Sequence, residues 1–164
     1  MKPIHTLTVN GESYDLQNRD FRHIATITND TGEAVKQLEL TRDAAGEPFS
    51  CSEFFVLATI PPATANQLYI GAGMWNWILF TAGGMSTSQT RTLAIELKHT
   101  GGGWWRGNKL SLDDVSYLQT VTNGNNFYAN FRSYVNVGER VSTLAFYGGN
   151  SAFPDGTVIE VYGK

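Results

Sequence analysis

The segment His99-Thr-Gly-Gly-Gly-Trp-Trp-Arg-Gly-Asn108 runs three consecutive glycines into two tryptophans and an arginine. Aromatic rings bind the apolar faces of sugar rings by stacking, and amide or guanidinium groups beside them fix the hydroxyls. Trp104, Trp105, Arg106 and Asn108 are therefore candidate saccharide contacts. The competing reading is that both indoles cover the open end of a core through their large apolar area, with the arginine stacked on its neighbour. Adjacent residues of an extended chain face opposite sides, so a third outcome is that one ring packs and the other shows. Glycine reaches backbone conformations closed to other residues, which sets Trp104 and Trp105 on or beside a loop. A second set follows in Asn-Phe-Tyr-Ala-Asn-Phe-Arg-Ser-Tyr-Val-Asn, residues 126–136. Read as a strand, this puts Phe127, Ala129, Phe131 and Val135 on a core side. Tyr128, Asn130, Arg132 and Tyr134 then form an opposite stripe that suits sugar contact, subunit contact or an ordinary wet sheet face.

Enzyme chemistry finds less to stand on. The chain has no Gly-x-Ser-x-Gly elbow, His-Glu-x-x-His, phosphate-binding glycine loop or dinucleotide fingerprint. His5, His23 and His99 are far apart, and a lone histidine is more often structural or solvated than a base or ligand. Glycoside hydrolysis needs only two carboxylates at a set separation, and 15 Asp and Glu residues are present. Asp15, Asn18 and Asp20, and separately Asp43 with Glu47, offer oxygen ligands to calcium, but neither group follows the EF-hand loop. Turn and capping roles explain them more simply, and no metal or cofactor is expected. The single cysteine, Cys51, allows neither an intrachain disulfide nor a cysteine-based zinc site.

The elements that must position these groups are strands. Short runs rich in Val, Ile, Thr, Phe and Tyr recur between clusters of Gly, Asn, Asp and Pro, the pattern of an all-β sandwich or barrel. We read strands at HTLTV, FRHIATI, KQLELT, SEFFVLATI, QLYIGA, WNWILF, TRTLAIEL, VSYLQTV, NFYANFRSYV, STLAFY and TVIEVYG. Both faces of MWNWILF are apolar, which predicts a central strand buried on both sides. Only LSLDDVSYL could form a helical turn or two. At 164 residues with no linker or repeat, residues 1–164 form one domain.

Charged residues make up 16 % and hydrophobic ones 41 %, with a formal net charge of -3. No overall basic field collects nucleic acid or anionic lipid. The start of the chain lacks the features of a signal peptide, and no window is long and apolar enough to span a membrane as a helix. The expectation is synthesis in a cytoplasm without membrane insertion. The Asn29-Asp30-Thr31 sequon carries no weight, since one match is expected by chance.

The chain closes on Ala-Phe-Pro-Asp-Gly-Thr-Val-Ile-Glu-Val-Tyr-Gly-Lys, residues 152–164. Phe153, Gly156, Thr157, Ile159, Tyr162 and Gly163 fit the pattern Phe-x-x-Gly-[Ser/Thr]-x-Ile-x-[Ile/Leu]-[Tyr/Trp]-Gly, with Val161 a conservative departure. The segment resembles the closing strand of β-sandwich domains in tail fibres and related virion proteins of tailed bacteriophages. Physically it reads as a hairpin whose return strand pairs inside a sheet, with the glycine just past the last ladder bond. The resemblance implies a jelly-roll-like antiparallel sandwich of roughly ten strands in a virion protein assembled in the host cytoplasm. It carries over no catalytic or binding residue. It further implies other virion proteins as partners and a homo-oligomer, commonly a trimer. The expectation that follows is a non-catalytic appendage protein attaching to a host surface glycan. The alternatives are a structural virion, decoration or adaptor protein, and a small glycan-depolymerising enzyme.

Overall fold

The computed structural model describes residues 6–9, 12–15, 21–62, 68–71, 80–82, 89–102, 104–109, 139–148 and 152–164. Every regular element among them is a strand: β1 Thr6–Val9, β2 Glu12–Asp15, β3 Arg22–Thr28, β4 Gln37–Leu40, β5 Glu53–Ile60, β6 Leu68–Gly71, β7 Phe80–Ala82, β8 Arg91–Gly101, β9 Trp104–Lys109, β10 Leu144–Tyr147 and β11 Val158–Gly163. Three antiparallel sheets result: β1-β2, a four-stranded sheet β4-β10-β6-β7 and a five-stranded sheet β3-β11-β5-β8-β9.

Alternation along the strands decides what each sheet faces. On β5, Phe54, Val56, Ala58 and Ile60 enter the core, as do Leu93, Ile95 and Leu97 on β8 and Ile159 and Val161 on β11. The same cluster takes Leu40, Leu68, Ile70, Leu144 and Phe146 from the four-stranded sheet. One core is thus shared by the two larger sheets, which gives the sandwich-like, all-β architecture. The other face of β5 also carries a buried ring, Phe55, so β5 is covered on both sides. The sequence assigns that role to MWNWILF, of which residues 74–79 lie outside the described residues, as do the strands expected at VSYLQTV and NFYANFRSYV and the possible helical turn at LSLDDVSYL.

The pairings nest. β3 pairs β11, β4 pairs β10, β5 pairs β8 and β6 pairs β7, so the chain traces one long antiparallel ribbon with its tip between β6 and β7. Successive rungs of that ribbon alternate between the two sheets. β9 lies outside the nest and extends the five-stranded sheet beyond β8. Where β3 meets β11 the register shifts between Val161 and Tyr162. The extra residue of this bulge puts both Ile24 and Ala25 in the core opposite Val161.

The closing segment owes its composition to its neighbours. Phe153 is buried and bridges Val35, Gly156 turns the chain at φ 79°, and the Thr157 hydroxyl donates to the Pro154 carbonyl at 2.8 Å. Gly163 lies inside β11, paired with Arg22 and Phe54, where the sequence placed it just past the ladder. Space is the reason for glycine here: a Cβ would stand 2.5 Å from Cys51 Sγ and 3.1 Å from Ile24 Cγ1.

Asn29 ties this turn to the one after β3. Its side chain, 1 % exposed, donates to the carbonyls of Glu33 at 2.8 Å and Phe153 at 3.1 Å and accepts from the Thr31 hydroxyl at 2.8 Å. Both amide hydrogens are engaged, so the sequon at Asn29 is structural. Asn29→Ala removes the side-chain bonds to both carbonyls and to the Thr31 hydroxyl, although the Phe153 carbonyl keeps the Val35 N–H and the Glu33 carbonyl keeps the Thr31 hydroxyl, and a loss of about 1–3 kcal/mol is expected in urea denaturation. An unchanged midpoint would contradict this role.

Candidate functional site

The glycine-rich segment is a hairpin. β8 ends at Gly101 with φ 108°, Gly102 turns at φ 59°, and β9 begins at once with Trp104. The glycines do make the turn, but the residues after them form a strand where the sequence had suggested a loop. The apolar period that marks the other strands is missing here, because β9 reads Trp-Trp-Arg-Gly-Asn-Lys.

The strand divides the candidate contacts by parity. Trp105 lies opposite His99 and is 1 % exposed. Its ring stacks on Phe54 at 6.0 Å between centroids and meets the His99 ring edge-on at 5.9 Å. This removes Trp105 from the saccharide contacts, since the site that takes up its indole is the core itself. Trp104, Arg106 and Asn108 fall on the alternate positions of β9, the opposite face of the strand. On the neighbouring strand the register sets Lys98 beside Arg106 and Glu96 beside Asn108. The Lys98 ammonium lies 2.8 Å from a Glu53 carboxylate oxygen, and Lys164 lies 4.0 Å from the other. This end of the sheet's outer face therefore gathers a carboxylate, ammonium groups and the backbone positions of Trp104, Arg106 and Asn108. Such a set can stack on an apolar ring face and exchange hydrogen bonds with hydroxyls.

Tyr128, Asn130, Arg132 and Tyr134 lie outside the described residues, as do His5, Asn18 and Asp20. Two of the histidines sit in packed settings. His23 Nε2 is 3.0 Å from Thr26 Oγ1 and its ring meets Tyr162 edge-on at 5.3 Å. His99 packs on Trp105, and its backbone N–H donates to the Ser52 carbonyl. β3 and β8 are three strand positions apart, roughly 14 Å, so these two imidazoles do not share a site. Asp43 is a turn residue. One of its carboxylate oxygens accepts the backbone N–H groups of Ala45 and Glu47, each at 2.9 Å. Burial pushes the Cys51 thiol up, partly offset by Arg22 and Arg140, and the sulfur packs against Gly163.

One surface escaped the sequence reading. On the four-stranded sheet, Leu68, Ile70, Leu144 and Phe146 face the core, which turns Tyr69 and Tyr147 outward. The two tyrosines lie directly opposite each other on β6 and β10. Each run alternates clearly, so the outward direction of each tyrosine was legible, while their adjacency needed the strand pairing.

Fold and surface together define an all-β, sandwich-like protein with a tryptophan-bearing hairpin at the end of its larger sheet. Compared with protein-family models, with curated proteins and with solved structures, the chain matches none.

Proposed function

We propose that this chain is a non-catalytic, jelly-roll-like module of a bacteriophage virion appendage that attaches to the host by binding a surface saccharide. The observation that carries the reading is the parity of β9: Trp105 is committed to the core, while Trp104, Arg106 and Asn108 share the other face beside Lys98 and Glu96. An aromatic flanked by guanidinium, amide and carboxylate groups is the chemistry of sugar recognition. The nested ribbon of eight strands supports a jelly roll, an architecture used by viral and lectin domains. Fold alone does not assign function, and the closing segment's resemblance to tail-fibre domains supplies the virion setting. Such a module is made in the host cytoplasm, assembles with other virion proteins as a trimer, and works outside the cell.

Trp104→Ala is expected to abolish retention on host surface polysaccharide while shifting the melting temperature by no more than a degree or two. Wild-type protein should release no sugar ends from that polysaccharide over time. Retention unchanged in the variant would remove β9 from the site.

A second reading, a structural or adaptor protein without a ligand, is favoured by the position of β9. Among the described residues it ends the sheet order, and an edge strand is a template for pairing with another chain. In that case Tyr128→Ala or Arg132→Ala shifts the molecular mass in solution, and no glycan is retained.

A further inference from the structure

We propose that the turn formed by residues 42–47 is a strap that closes the β3 edge of the larger sheet against pairing with another chain. The inference does not depend on the saccharide reading. Among the described residues β3 ends the five-stranded sheet on one side, as β9 does on the other. Its sequence, Arg-His-Ile-Ala-Thr-Ile-Thr, is rich in β-branched residues, holds no proline or glycine and carries one full charge, Arg22. An edge of that composition is a template for strands of other chains. β9 differs, since Arg106, Gly107 and Lys109 interrupt it.

The direction of the backbone groups along β3 follows from one bond. The Asn29 N–H donates to the Thr157 carbonyl, on the β11 side. Alternate residues of a strand present their hydrogen-bonding groups to opposite sides, so the carbonyls of Ile24, Thr26 and Thr28 point to the free edge. The first of these is taken: the Ala44 N–H donates to the Ile24 carbonyl at 2.7 Å. Ile24 is also the extra residue of the bulge against β11, which twists the edge at the same place. Among the described residues this leaves 25–28 of β3 open, a run shorter than the roughly five or six residues of an ordinary strand.

The strap is built to hold that position. It leaves β4, the end strand of the smaller sheet, after Leu40 and returns to the core at Phe49, and both of these residues are buried. Between them every residue but half-buried Asp43 is exposed, so apolar burial does not order the turn. Five hydrogen bonds do. One Asp43 carboxylate oxygen accepts the N–H groups of Ala45 and Glu47, and the Asp43 N–H donates to the Glu47 carbonyl at 2.8 Å. The Gly46 N–H donates to the Asp43 carbonyl at 2.9 Å, and the Arg42 guanidinium donates to the Gly46 carbonyl at 2.8 Å. The charges of Arg42, Asp43 and Glu47 therefore stand beside the edge, where an incoming strand would have to strip them of water.

The test is light scattering after size exclusion over a dilution series, with sheet content followed by circular dichroism. Asp43→Ala removes the acceptor that shapes the turn, and Ala44→Pro deletes the N–H that covers Ile24. Each variant should keep its sheet spectrum and rise about twofold or more in mass above wild type at the same concentration, as an opened edge pairs. Adding Thr26→Lys to either variant charges the opened edge and should return the wild-type mass. A wild-type mass in either single variant that keeps its sheet spectrum overturns the strap, as does a rise in mass that Thr26→Lys leaves untouched. Loss of the sheet spectrum in both single variants also overturns it, since the turn would then hold the fold together instead of guarding an edge.

Discussion

Trp105→Ala is expected to destabilise the protein by about 3–5 kcal/mol, the range for truncating a buried large aromatic. The ring stacks on Phe54, which itself packs edge-on against Phe49 at 6.1 Å, so the cavity would open in a chain of aromatic contacts. The indole also carries a cost. Trp105 Nε1 is buried and has no hydrogen-bond partner among the described residues. An unpaired buried donor costs about 1–3 kcal/mol, so Trp105→Phe, which keeps most of the apolar area and deletes the N–H, should lose far less stability than Trp105→Ala. Chemical denaturation of both variants checks this. Equal losses would mean that the N–H is satisfied, and a near-neutral Trp105→Ala would mean that the ring is not core.

The second large effect is expected at Gly163. Alanine here adds a Cβ 2.5 Å from Cys51 Sγ and within 3.2 Å of Ile24 Cδ1, both in the core. Overpacking of this kind costs about 1–3 kcal/mol. Because the nearest obstacle is one sulfur atom, Cys51→Ala should relieve part of it. The double variant should then be more stable than the sum of the single losses, with a coupling of about 0.5–3 kcal/mol for residues in contact. Strict additivity would show that the sulfur is not what forbids a side chain at 163. Gly163 has no positive φ to explain its glycine, so steric room is the whole of the argument.

The same position shows what a sequence can and cannot disclose. The tail pattern marks Gly163 as part of a motif, but the reason lies in Cys51, which reaches the site through an isolated bridge with Val141. β3, β4, β5, β6, β8, β10 and β11 were legible because apolar residues alternate along each and turn residues separate them. β9 was not, because Trp-Trp-Arg-Gly-Asn-Lys carries no apolar period. β2, Glu-Ser-Tyr-Asp, has no apolar period either, and from the sequence Asp15 reads more simply as a turn or capping residue than as a calcium ligand.

The candidate site was legible in composition and not in arrangement. Trp104, Trp105, Arg106 and Asn108 read as one cluster on a loop, and a strand's two-residue period splits them. Trp105 goes to the core and the other three share the opposite face. The Tyr69 and Tyr147 pair could not be read at all, since it depends on the register between β6 and β10. Strand faces can be assigned from local pattern, whereas cross-strand neighbours depend on pairings between distant segments.

The most direct test of saccharide recognition by β9 is tryptophan emission of wild type, Trp104→Phe and Trp105→Phe during titration with host surface polysaccharide. A shift or quench is expected on adding glycan to wild type and to Trp105→Phe, with no response from Trp104→Phe. A response that survives in Trp104→Phe, or one absent from wild type at every glycan concentration, would contradict it.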